Sequence, residues 1–155
     1  MSLPAPLPRD ARPHRRIRAS LRAGLVWAVA ASGINLIIWL IALIFGVDFQ
    51  VWPQGLDQPP IDVGPLTIVG ATLFAGLVAS VATGVLAKLI KKVIRWIILL
   101  GILFTATSLA APWGQPDQVP TSTRVILTLM HLVTGAALTY GLSQGIWTDD
   151  RAVRS

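Results

Sequence analysis

The stretch Leu86-Ala87-Lys88-Leu89-Ile90-Lys91-Lys92-Val93-Ile94-Arg95-Trp96-Ile97 decides the fold. On either side of it the chain runs without Asp, Glu, Lys or Arg, over 63–87 before it and 96–111 after it. One helix through both runs would be far too long for a single bilayer, because about 20 apolar residues already cross the ~30 Å of hydrocarbon. The chain must therefore reverse here, although it holds no Gly, Pro, Asn or Asp from Val85 to Leu100. Lys88, Lys91, Lys92 and Arg95 fall at i, i+3, i+4 and i+7, which puts their charges on one helical face with Leu89, Ile90, Val93 and Ile94 largely opposite. The spacing predicts a short helical elbow lying on the membrane surface, with lysine stems along the apolar boundary and their heads in water.

Two further uncharged runs, 23–47 and 125–148, lie outward from this turn. A mean hydropathy of +0.67, with 54% hydrophobic and 13% charged residues in 155, excludes an ordinary soluble domain. The fold class is therefore all-α: a polytopic membrane protein, an antiparallel bundle of four transmembrane helices with spans at about 23–47, 63–87, 96–111 and 125–148. The transmembrane domain, 21–148, lies between a basic Pro- and Arg-rich tail at 1–20, read as a disordered arm, and a short tail at 149–155. The third span is the shortest, ~24 Å at 1.5 Å per residue, and snorkelling of Arg95 extends it. Gly64-Pro65 opens the second helix, Pro112 ends the third, and Thr121-Ser122-Thr123 offers caps for the fourth.

The net charge of +6 does not indicate nucleic acid, because the charges sort by membrane side. Every basic residue except Arg124 precedes the first span, lies between the second and third, or follows the fourth, whereas Asp48, Asp57, Asp62 and Asp117 sit in the two other loops. The positive-inside rule then makes both termini and the Lys88–Arg95 turn cytoplasmic. Trp27, Trp96 and Trp147 at inner ends, and Trp52 and Trp113 just beyond outer ends, agree with that map. Arg15, Arg16, Arg18, Lys88, Lys91, Lys92 and Arg95 are candidates for contact with anionic lipid or with a partner.

Chemistry is sparse. The chain has no Cys and no Glu, seven Asp and two His, so thiolate chemistry is excluded and little remains for acid–base work or a metal site. No nucleophile can be paired with a base, so the expectation is no enzyme, no catalytic residue and no metal.

Small residues that allow backbones to approach form stripes. Gly76-xxx-Ser80-xxx-Gly84 and Ala75-xxx-Ala79-xxx-Thr83 run along the second helix. One face of the first carries Gly24, Ala28, Ser32, Asn35, Trp39 and Ala42, and one face of the fourth carries Arg124, Thr128, His131, Gly135 and Thr139. These read either as internal seams or, for one surplus stripe on the second helix, as an interface to another subunit. Two polar residues stand inside the spans, where polar groups are expensive. Asn35 is near the midplane, and His131 lies ~9 Å from the outer end, level with Thr105, Thr107 and Ser108 and roughly with Trp39. A neutral His131 donating to one of those hydroxyls and stacked on Trp39 is one arrangement. The others are a proton relay or polar-solute contact, and axial ligation of a haem or chlorin by His131.

The runs Asn35-Leu36-Ile37-Ile38-Trp39-Leu40-Ile41-Ala42, Val63-Gly64-Pro65-Leu66 and Met130-His131-Leu132-Val133 resemble a family of small, uncharacterised four-helix bacterial membrane proteins, a domain of unknown function. The similarity covers about 20–145. It implies the four-span fold and a bacterial inner membrane, and it carries no activity or cofactor. The function expected is that of a non-catalytic accessory or assembly subunit, seated in the lipid bilayer and packed against other membrane protein subunits. The alternative is a small homo-oligomeric transporter or channel for a polar solute using Asn35 and His131.

Overall fold

The structure, a computed structural model, describes residues 11–90 and 93–152, with side chains over 17–90 and 93–148. Lys91, Lys92 and the side chains of Arg15 and Arg16 lie outside the described residues. The described residues are mostly helical. In order come α1 (Ala11–Ile44), β1 (Gln50–Val51), β2 (Ile61–Asp62), α2 (Pro65–Leu89), α3 (Val93–Ser108), α4 (Ala110–Trp113) and α5 (Thr121–Ala152). Four helical stretches, Ile17–Ile44, Pro65–Leu89, Val93–Trp113 and Thr121–Thr148, are long and apolar enough to cross a membrane.

Three local features differ from the sequence reading. Helix α1 begins at Ala11, inside the segment read as a disordered arm. Arg, Ala and Leu are good helix formers, and Pro13 falls in the first turn, where its missing N–H costs no hydrogen bond. The elbow is not one helix across Lys88–Arg95: α2 stops at Leu89, and Ile90 is extended (φ −121°, ψ 128°) with its N–H still donating to Leu86 O. The β region is open to any L-residue and favoured by β-branched ones, so the reversal needs no glycine. The third span gains length from α4, a single turn that follows α3 after Leu109 and carries the span to 21 residues at Trp113.

Helix α1 ends on Gly46, whose φ of +74° suits the left-handed position that glycine occupies without strain. The Gly46 N–H donates to Leu43 O and the Val47 N–H to Ala42 O, the paired bonds of a Schellman ending, and Val47 packs near Ala42.

Helices α1 and α5 form the centre; α2 packs on α1 and α3 on α5, with little contact between α2 and α3. Neighbours run in opposite directions. Gly84 faces Ser20, Gly24 faces Ser80 and Gly76 faces Ala28 along α1–α2; Gly145 faces Ala23 and Gly141 faces Trp27 along α1–α5. Along α3–α5, Thr139 sits on Gly101 and Thr105 on Gly135. An apolar cluster of Ala87, Val93, Ile97, Leu142 and Ile146 closes the end nearest the Lys88–Arg95 turn, the basic end. A second, Ala42, Phe49, Ile68 and Met130, closes the opposite loop end.

Candidate functional site

The polar residues within the spans converge on one node. Asn35, 2% exposed, donates from Nδ2 to Thr72 Oγ1 at 3.4 Å and to Thr134 Oγ1 at 2.9 Å. Three helices, α1, α2 and α5, are thereby joined through one amide. Thr72 spends its own proton on Ile68 O at 2.8 Å, so toward Asn35 it acts as an acceptor, and this fixes which end of the amide faces it. Asn35 Oδ1 is buried with no hydrogen-bond partner among the described residues, a state that costs about 1–3 kcal/mol. Below the node, toward the basic end, Ser32 returns its hydroxyl to Ala28 O, and Ala28, Ala31 and Ser32 are buried.

Above the node the loop end forms a lid. Trp39 donates its indole N–H to Val63 O at 3.0 Å and lies 6.3 Å from Phe49, tilted at 44°. Both pack in the loop-end cluster with Ile68 and Met130. The connecting chain is pinned from several sides: β1 pairs with β2 through Gln50↔Asp62 and Val51↔Ile61, Trp52 N–H donates to Gln115 Oε1 at 2.8 Å, and the Thr123 hydroxyl donates to Asp48 O. Arg124, the basic residue outside the side-sorting pattern, donates to Pro116 O at 2.8 Å and Val119 O at 3.2 Å. Its guanidinium therefore holds the turn before α5.

His131 is bonded within its own helix and not, as expected, to one of the hydroxyls level with it. Its Nδ1–H donates to Leu127 O, 2.7 Å away and one turn back on its own helix. The hydroxyls level with it are also satisfied locally: Thr105 by Gly101 O, Thr107 by Leu103 O and Phe104 O, Ser108 by Thr105 O. In a dry helix the carbonyl one turn back is the nearest acceptor, and it outcompetes a partner on another helix. Gly76, Ser80 and Gly84 are buried against α1, so that stripe is an internal seam and leaves no surface for another subunit. Arg18, Lys88 and Arg95 are exposed at the basic end.

Thr72 and Thr134, the partners of Asn35, were not singled out from the sequence. Thr72 extends the Gly76-Ser80-Gly84 stripe by one step of four, and that spacing is the signal that could have found it. Thr134 had no such mark. No group of three or more His, Cys, Asp or Glu able to hold a metal ion occurs among the described residues.

Comparison with known families matches residues 15–146, which take in α2 and α3 and most of α1 and α5, to one described as a family of unknown function, DUF6069. No curated protein and no solved structure matches.

Proposed function

The chain belongs to the family of unknown function DUF6069, and from that premise we propose that it is a non-catalytic accessory or assembly subunit of a membrane complex. In this reading it is an antiparallel four-span bundle in a bacterial inner membrane, with both termini and the Lys88–Arg95 turn cytoplasmic. The observation that carries the proposal is the isolation of α3. Its spanning window is 11% buried, against 33% for α2, and Ile98, Leu99, Ile102, Leu103 and Phe104 are exposed. Lipid tails are as apolar as these side chains, so the face costs nothing in a bilayer, yet of the four spans it is the one with the largest share of its surface open to another helix.

Photo-crosslinking from Phe104 in native membranes, followed by mild-detergent purification, is expected to give a discrete protein adduct, and crosslinking from Leu25 on α1 none. Lipid adducts alone from both positions would overturn the reading. Orientation is tested with an impermeant thiol reagent: cysteine at the exposed Gln58 is expected to label in intact cells and cysteine at the exposed Leu89 not to.

The second reading, a small homo-oligomeric transporter or channel for a polar solute through Asn35 and His131, draws on the unpartnered Asn35 Oδ1. Against it stand the loop-end lid over Asn35 and the absence of any Asp from the four uncharged runs, since a conducting path needs polar groups through the full thickness. Solute flux in reconstituted vesicles, lost on Asn35→Leu with folding retained, would favour it over the accessory role.

A further inference from the structure

At the basic end, α3 and α5 part to leave an open cleft of about 190 Å³ lined by Ile94, Ser143, Gln144 and Trp147. That is smaller than the ~300–1,000 Å³ of sites that enclose a whole small-molecule ligand, so it fits a fragment of something larger whose remainder lies outside. Ser143 marks the cleft chemically. Ser20, Ser32, Thr72, Ser80, Thr105 and Thr148 each return the hydroxyl to a backbone carbonyl within the preceding turn. Ser143 does not: its Oγ is buried and has no partner. Ser143 itself lines the cleft, so its hydroxyl is a donor there that no group of the described residues uses. Ile94 also stands in the first turn of α3, a helix of 16 residues with no acidic side chain there. The N–H groups of that turn have no acceptor within the helix and carry the positive end of its dipole. Lys88 lies in the last turn of α2 and Arg95 follows Ile94 in α3, and both are exposed. The donors of the α3 head, Ser143 and Gln144 thus share the cleft with the apolar walls of Ile94 and Trp147.

We propose that this cleft seats the phosphate and glycerol of an anionic phospholipid. Ser143, the Gln144 amide and the head of α3 receive the phosphate, and the first acyl carbons lie along Ile94 and Trp147. The site differs from diffuse attraction of lysines to a charged surface, because it has walls and an unspent donor. It does not depend on the accessory role, which is read from protein crosslinks on α3.

The test is native mass spectrometry of the full-length protein after reconstitution with phosphatidylglycerol, with phosphatidylcholine, or with neither but with soluble glycerol phosphate. One phosphatidylglycerol per chain is expected to survive detergent exchange. Ser143→Ala is expected to weaken retention about ten- to a hundredfold, the scale of one hydrogen bond to a charged group. Ser143→Leu, which fills the cleft, abolishes it. Thr148→Ala, one turn on and bonded only to its own helix, leaves retention unchanged, with thermal midpoints within a few degrees for all variants. Equal retention of phosphatidylcholine, equally tight binding of soluble glycerol phosphate, or retention indifferent to both Ser143 variants would each overturn the proposal.

Discussion

Between α1 and α2, glycines face small side chains over about two turns: Gly84 at Ser20, Ser80 at Gly24, Gly76 at Ala28. Between α3 and α5 the same device is used twice, with Thr139 on Gly101 and Thr105 on Gly135. The residue types are alike and the surroundings are not. Helix α2 is held on α1 with a third of its spanning window buried and Thr72 tied into the Asn35 node, whereas α3 has one packed edge and is otherwise open. In a bilayer, where apolar burial drives little, close backbone approach and a few interhelical hydrogen bonds do the holding. The α1–α2–α5 unit accordingly has both, and α3 has only the approach.

The largest effect is expected where a close approach cannot relax. A Cβ at Gly76 would lie 2.5 Å from Ala28 Cβ and 3.5 Å from Leu138 Cδ2, between two helices that are each held elsewhere. Gly76→Leu should cost upwards of about 3 kcal/mol, the upper range of overpacking, read as a loss of folded protein in detergent titration. Gly101→Ala also meets a side chain, that of Thr139, but α3 can move away from α5 because little packs behind it. About 1 kcal/mol is expected there. Equal costs at the two positions would break the distinction between the seams.

Next in size is the node. Asn35→Leu removes two interhelical bonds worth ~0.6 kcal/mol each on average in membrane proteins, and it also removes the unpartnered Oδ1, which offsets part of the loss. A net destabilisation of about 1 kcal/mol is expected in a chemical unfolding titration. A cost above about 3 kcal/mol would mean that Oδ1 has a partner, such as an ordered water. Trp39→Phe keeps the ring and loses the bond to Val63 O; about 1 kcal/mol is expected, with faster thiol labelling of a cysteine at Val63 as the lid loosens.

How much of this was legible in the sequence depends on the range of the interaction. The four spans follow from charge-free runs, and the Gly-Pro start of α2 from backbone chemistry that acts over two residues. The seam residues Gly76, Ser80 and Gly84 were visible as a stripe, but the choice between an inner and an outer face was not, because in a membrane both faces are apolar. The break at Ile90 was hidden because extended backbone needs no special residue. Asn35 could be placed near the midplane by counting, whereas its pairing with Thr134, 99 positions away, depends on helix rotation, which apolar periodicity cannot supply when every face is apolar.

His131 carries the smallest expected effect, and the reason lies in where its proton goes. The Leu127 carbonyl it bonds belongs to a regular stretch of α5, where its normal helical donor is the His131 backbone N–H one turn on. Removing the imidazole therefore strands no acceptor on another helix, unlike the loss of Asn35. His131→Leu should cost less than Asn35→Leu, under about 1 kcal/mol, and His131→Gln, which can still donate to the same carbonyl, should cost no more. The measurement is the paired unfolding titration of the three variants in one detergent. If His131→Leu proved the most damaging of the three, Nε2 would have to be engaged by a group on α2 or α3, and the polar centre of the molecule would be larger than the Asn35 node. A visible absorbance in purified wild type that both His131 variants remove would place a ligated haem or chlorin there, and a colourless protein with near-neutral variants would leave the ring as a helix-bound side chain.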